Sequence, residues 1–79
     1  MKIYKFNGKS NLSGERVRQE RERLKLSQEK LAAKLQLLGI DVTQKSVSRI
    51  ETGDRVVADY ELLALAKALD VSVEYLLNG

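Results

Sequence analysis

The chain contains no cysteine and no histidine. Without them there is no disulfide, no thiolate nucleophile and no imidazole base, and almost no route to a zinc, haem or iron–sulfur site. Proline is missing as well, which removes the residue that most often breaks a helix. No apolar run approaches the length of a bilayer span, and no signal-peptide core follows the N-terminus. Neither a membrane nor export is expected, and the expected location is cytoplasmic. No Gly-rich phosphate loop is present, and the acids do not cluster at ligand spacing. The expectation is therefore a protein that is not an enzyme, has no metal and no cofactor, and works through its surface.

What is present is 79 residues, 43% hydrophobic and 32% charged, the balance of a folded globular chain. Such a length is expected to build one small core, and no separate effector-binding domain is expected within it. The formal net charge is +3, and it is unevenly spread. Residues 1–58 hold 13 Lys/Arg against 7 Asp/Glu, a net +6, whereas residues 59–79 hold 1 against 4, a net −3. A basic front and an acidic back fit an anionic partner that meets one side of the molecule.

Apolar residues recur mostly at spacings of three and four, so the fold class is all-α. Residues 1–10 form an N-terminal arm, with Ile3, Tyr4 and Phe6 extended before an Asn7-Gly8 turn. Residues 11–79 form the helical domain. Asn11 or Ser13 caps a first helix reaching about Lys25, with Val17 and Leu24 inside. Arg16, Arg18, Arg21 and Arg23 alternate with Glu15, Glu20 and Glu22, the pattern of a solvated face with local ion pairs. Ser27 caps a second helix in which Leu31, Ala32, Leu35 and Leu38 repeat until Gly39. Thr43 caps a third, Gln44 to Thr52, closed by Gly53 and Asp54. Asp59 caps a fourth, whose apolar face is Leu62, Leu63, Leu65, Ala66 and Leu69. Ser72 caps a short fifth carrying Val73, Leu76 and Leu77. Tyr60, Tyr75, Leu76 and Leu77 are candidates for a contact between two copies.

The third helix carries the chemistry. At 100° per residue, Val47 and Ile50 fall on one side, and Gln44, Lys45, Ser48, Arg49 and Thr52 on the other. That outer face has long donors and small hydroxyls and no acid. Arg can grip guanine O6 and N7 with a fork, Gln can pair with adenine, and Ser reaches base or phosphate. A short polar face that is merely wet would look the same, so the neighbouring segments matter.

Those segments are Ser27-Gln28-Glu29-Lys30-Leu31-Ala32, then Thr43 to Gly53, then Leu63 to Leu77. In order and spacing they resemble the XRE family, the Cro and phage-repressor type of helix-turn-helix DNA-binding domain, over Asn11 to Gly79. The resemblance implies a five-helix, lambda-repressor-like domain with helices two and three as the reading unit. It implies a transcriptional regulator, a repressor in particular, that binds double-stranded DNA as a homodimer. Gln44, Lys45, Ser48 and Arg49 would face the bases, while Gln28, Thr52 and Arg55 would contact phosphates. Arg21 and Glu51 would form a structural pair that orients the reading helix. The competing expectation is a protein-interaction module of the same fold, an antitoxin or adaptor that binds a partner protein. Two departures stand out. Gln36 to Val42 makes a lengthened turn between helices two and three, with Ile40 and Val42 folding back onto the core. Glu20 stands where an apolar residue is usual, which should weaken the inner stripe of the first helix.

Overall fold

The computed structural model describes residue 5 and residues 8–78. The expected extended stretch at Ile3, Tyr4 and Phe6 lies outside the described residues. Five helices follow one another: α1 (Gly14–Arg23), α2 (Gln28–Leu37), α3 (Gln44–Thr52), α4 (Asp59–Leu69) and α5 (Val73–Leu77). Among the described residues, no helix is long and apolar enough to cross a membrane.

The helix starts follow local chemistry. Ser27 Oγ accepts the Lys30 N–H at 3.0 Å, Thr43 Oγ1 accepts that of Ser46 at 3.3 Å, and Ser72 Oγ that of Tyr75 at 3.0 Å. Each satisfies one of the donors that a helix N-terminus leaves without a partner. At α1 the two candidates divide the task. Ser13 holds the cap position without a side-chain bond, and Asn11 Oδ1 accepts the Gly14 N–H at 2.8 Å. The start of α4 corrects the sequence reading: Ala58, not Asp59, is the cap, and Asp59 is the first helical residue. Alanine has no acceptor to offer, and Glu61 compensates by reaching back to the Ala58 N–H at 3.0 Å.

Four of the helices end in one common pattern, with a residue in the left-handed region just past the last turn. Behind α2, Gly39 has φ +89°, its N–H donates to Gln36 O, and the Ile40 N–H donates to Leu35 O at 3.0 Å. This double reversal is a Schellman motif. The same pair of bonds closes α1 around Lys25, α3 around Gly53 and α4 around Asp70. α1 therefore stops at Arg23 and not at Lys25, which itself turns left-handed at φ +58°.

These reversals decide what is buried. Leu38 is swung out and stays 46% exposed, so it does not continue the inner stripe of α2. Val42, only 2% exposed, enters the core instead, with Ile40 against it. The lengthened connection is braced by Gln36 Nε2, which donates to Val42 O at 2.7 Å. α4 presents Ala64, Leu65, Ala66, Ala68 and Leu69 inward, and Leu63, counted above with the apolar face, points to solvent. Leu76 is fully buried beneath α5, so it is not available to a second copy, whereas Tyr60 and Leu77 are exposed. Val17, Leu31, Leu35, Val47, Ile50, Leu65 and Leu69 complete the core.

Glu20 does not weaken this core, because its carboxylate is fully engaged. It accepts from Arg23 Nε at 2.6 Å and from the Tyr75 hydroxyl at 2.9 Å, which ties α5 to α1. Arg16 lies 4.5 Å over the Tyr75 ring and donates to Asn78 O at 3.1 Å. The arginines of α1 thus hold the C-terminal helix as well as meeting solvent.

Two predictions follow from this packing. A Cβ on Gly14 would collide with Ile50 O, because the start of α1 meets the end of α3 backbone to backbone. Gly14→Ala should cost about 1–3 kcal/mol, the usual range for overpacking, read as a lowered urea midpoint. The Arg23 and Tyr75 hydrogen bonds hold the Glu20 carboxyl below the usual carboxylate range. A carboxyl held low in the folded state stabilises it above that range, and the contribution is lost as acid titrates the group through its lowered value. Tyr75→Phe removes one donor, so acid unfolding followed by circular dichroism should begin at a higher pH.

Candidate nucleic-acid interface

α3 packs on both α1 and α2, with Val47 and Ile50 as its anchors. The opposite face is left to solvent. Gln44, Lys45, Arg49 and Thr52 are exposed and Ser48 is half-buried. No carboxylate stands among them, because Glu51 of the same helix is turned inward and only 7% exposed.

Glu51 is the junction of the site. Arg21 of α1 grips it with a fork, Nε to Oε2 at 2.6 Å and Nη2 to Oε1 at 3.1 Å. Arg21 Nη1 also donates to Leu26 O at 2.8 Å, so the connection leading into α2 is tied to the same pair. The Glu51 and Arg21 side chains are 3% and 13% exposed, and forked geometry of this kind suits a largely desolvated ion pair. Gln28, at the start of α2, donates from Nε2 to Glu51 Oε1 at 3.1 Å and accepts from Gln44 Nε2 at 2.6 Å. One chain of hydrogen bonds therefore runs from α1 through α3 and α2 to the first exposed side chain of α3.

Gln44, Lys45, Ser48 and Arg49 share one outward face. Gln28 borders it, with its amide occupied by Glu51 and Gln44. Thr52 closes it, its hydroxyl 3.2 Å from Arg49 O and 3.0 Å from Asp54 Oδ2. Arg55, in the loop beyond, is already paired. Both of its terminal nitrogens reach the Glu61 carboxylate at 3.0 Å, at the start of α4. Burial alone would raise the Glu61 carboxyl, but the Arg55 fork and the Ala58 N–H outweigh it and hold the group low. Asn11 is a residue the sequence reading credited with a cap alone. Its Nδ2 donates to Ile50 O at 3.1 Å and to Arg55 O at 2.7 Å, which closes the end of α3 and the loop beyond.

The Helix-turn-helix family model matches residues 17–76. The chain belongs to the helix-turn-helix family, in its XRE type. Its α2 and α3 are the paired helices, joined here by the lengthened connection over residues 38–43. A similar solved structure is that of the P22 c2 repressor protein in complex with synthetic operator 9T, in the presence of Tl+. It is 36% identical, with a TM-score of 0.74, and the match covers 87% of this chain and 97% of that one. No curated protein matches the chain closely enough to add a further relative.

In this helix-turn-helix unit the buried pair sets the seating of α3. Glu51→Ala would leave the Arg21 guanidinium in a largely desolvated site with no counter-charge, a change that typically costs about 3–5 kcal/mol. Chemical denaturation should show a loss of that size.

Proposed function

We propose that the protein is a sequence-specific, double-stranded DNA-binding transcriptional regulator that acts as a repressor and binds its operator as a homodimer. The observation that carries this is the face of α3. Amide, ammonium, hydroxyl and guanidinium groups stand together with no outward acid from α3 itself, on a helix locked from behind by the Glu51–Arg21 pair. The similarity to a repressor solved on an operator supports the same reading. α3 would lie in the major groove with Gln44, Lys45, Ser48 and Arg49 toward base edges. Gln28 would meet a phosphate at the N-terminus of α2, where backbone N–H groups add to the attraction. Thr52 and Arg55 would contact the backbone farther along, and Arg55 would do so while still holding Glu61. Phosphate neutralisation by the basic front would supply much of the affinity, so binding weakens steeply as salt rises. No catalytic step is part of this function, and its setting is the cytoplasm.

Selection from a pool of random duplexes should enrich one palindromic motif, its two halves answering to the two copies. Arg49→Ala should then lose about 1–3 kcal/mol on that motif and relax the preference at one position. Equal losses on the selected and a scrambled duplex would remove Arg49 from base reading. Failure to enrich any motif at low salt would favour the protein-interaction alternative.

A further inference from the structure

A second feature lies beside α3, on its α1 side. An open trench of about 530 Å³ is lined by Lys9, Glu15, Arg18, Arg21, Gln28, Ser48, Glu51 and Thr52. Arg21 and Glu51 neutralise each other in their fork, so the charges that remain are Lys9 and Arg18 against Glu15. Among the described residues Arg18 is paired with Glu22 alone, at 3.5 Å on an exposed surface, a pair too weak to keep it from a stronger anion. Ser48 and Thr52 contribute hydroxyls to the same lining.

Lys9 is placed there by the fold. The Ser10 N–H donates to Gly53 O at 2.8 Å, and the Asn11 amide fastens the next residue to Ile50 O and Arg55 O. The stem of Lys9 then lies across Gly53, where a Cβ would come within 2.9 Å of Lys9 Cδ. The glycine that ends α3 in the left-handed region thus also makes the seat for a lysine from the N-terminal segment. Lys9 precedes the residues matched by the family model, 17–76.

We propose that this trench seats a phosphodiester of the DNA backbone, with Lys9 and Arg18 as its cations. The inference rests on the reading of α3 as the groove-facing helix. A helix in the major groove, about 12 Å wide, has a phosphate wall on either side, and the trench opens along one flank of α3. Ser48 belongs both to the outer face of α3 and to the trench, so the two surfaces are continuous. The contact carries no base information. It adds affinity and fixes how α3 is registered against the backbone.

Lys9→Gln and Arg18→Gln keep most of each side chain and remove its charge. Duplex binding measured across a potassium chloride series should show the double variant weakened about eightfold at 0.1 M salt, and each single variant by part of that. The full loss is the effect of one phosphate at a slope of about 0.9 in log K against log salt. In the double variant the slope should flatten by that same amount, and the ratio of selected to scrambled affinity should stay unchanged. Glu15→Gln should shift binding the other way, toward tighter binding of both duplexes. Wild-type affinity and slope in both Gln variants, on a duplex the unsubstituted protein does select, would overturn the trench and leave the α3 reading standing. A changed selected-to-scrambled ratio would also overturn it, because it would place these cations at base edges. No selected duplex at all would take down both.

Discussion

The fold is organised around a carboxylate that could have faced solvent and does not. α3 has nine residues, too few to hold its shape unaided in water, and its polar face offers nothing to pack on. Val47 and Ile50 fix it to the core, but two aliphatic side chains set rotation about the helix axis only loosely. The forked contact between Glu51 and Arg21 is directional. It also reaches Leu26 O on one side and Gln28 on the other, so it fixes three segments relative to one another. Desolvating such a pair is costly, and its net contribution to stability can be small. Its value lies in orientation, and Gln44, which bonds to Gln28, inherits that orientation directly.

The parts of the fold that were legible in advance are those set by neighbouring residues. Ser27, Thr43 and Ser72 each bond to the N–H three positions on, which a one-dimensional pattern can express. The errors have equally local explanations. At Ala58 the cap position lacks an acceptor, and Glu61 supplies the bond from inside the helix. Asp59 was the better candidate by residue type alone. Lys25 reads as helical, yet Leu24 packs on the core and the Leu26 backbone must return to Arg21, and a left-handed residue between them permits it. Leu38 and Leu63 belong to apolar runs whose period says that one side is buried without saying where that side stops. The small residues Ala64 and Ala68, buried in their place, mark where helices come close.

For the candidate interface, the periodicity of Gln44 to Thr52 was enough to sort the outer side chains from the inner ones. What sequence could not convey is which polar groups are already committed. Arg55 sits in a basic, loop-like stretch and looks free, but its fork is taken by Glu61. Asn11 looks like a cap, and it also closes the far end of α3 across 39 and 44 positions of chain. Glu20 looks like a flaw in an apolar stripe until Tyr75, 55 positions away, provides its donor. Each of these depends on distant partners that no local spacing announces.

The shared way in which α1, α2, α3 and α4 end bears on how the chain assembles. Each stop is written within a few residues, and two of them return an apolar side chain to the interior just afterward: Ile40 and Val71. A helix and its reversal can thus form as one local unit before distant parts of the chain have met. Topologies dominated by such near-neighbour interactions reach the native state quickly, in microseconds to milliseconds where helices predominate. Apolar surface is then uncovered only briefly, and the long search that exposes sheet proteins to aggregation is avoided.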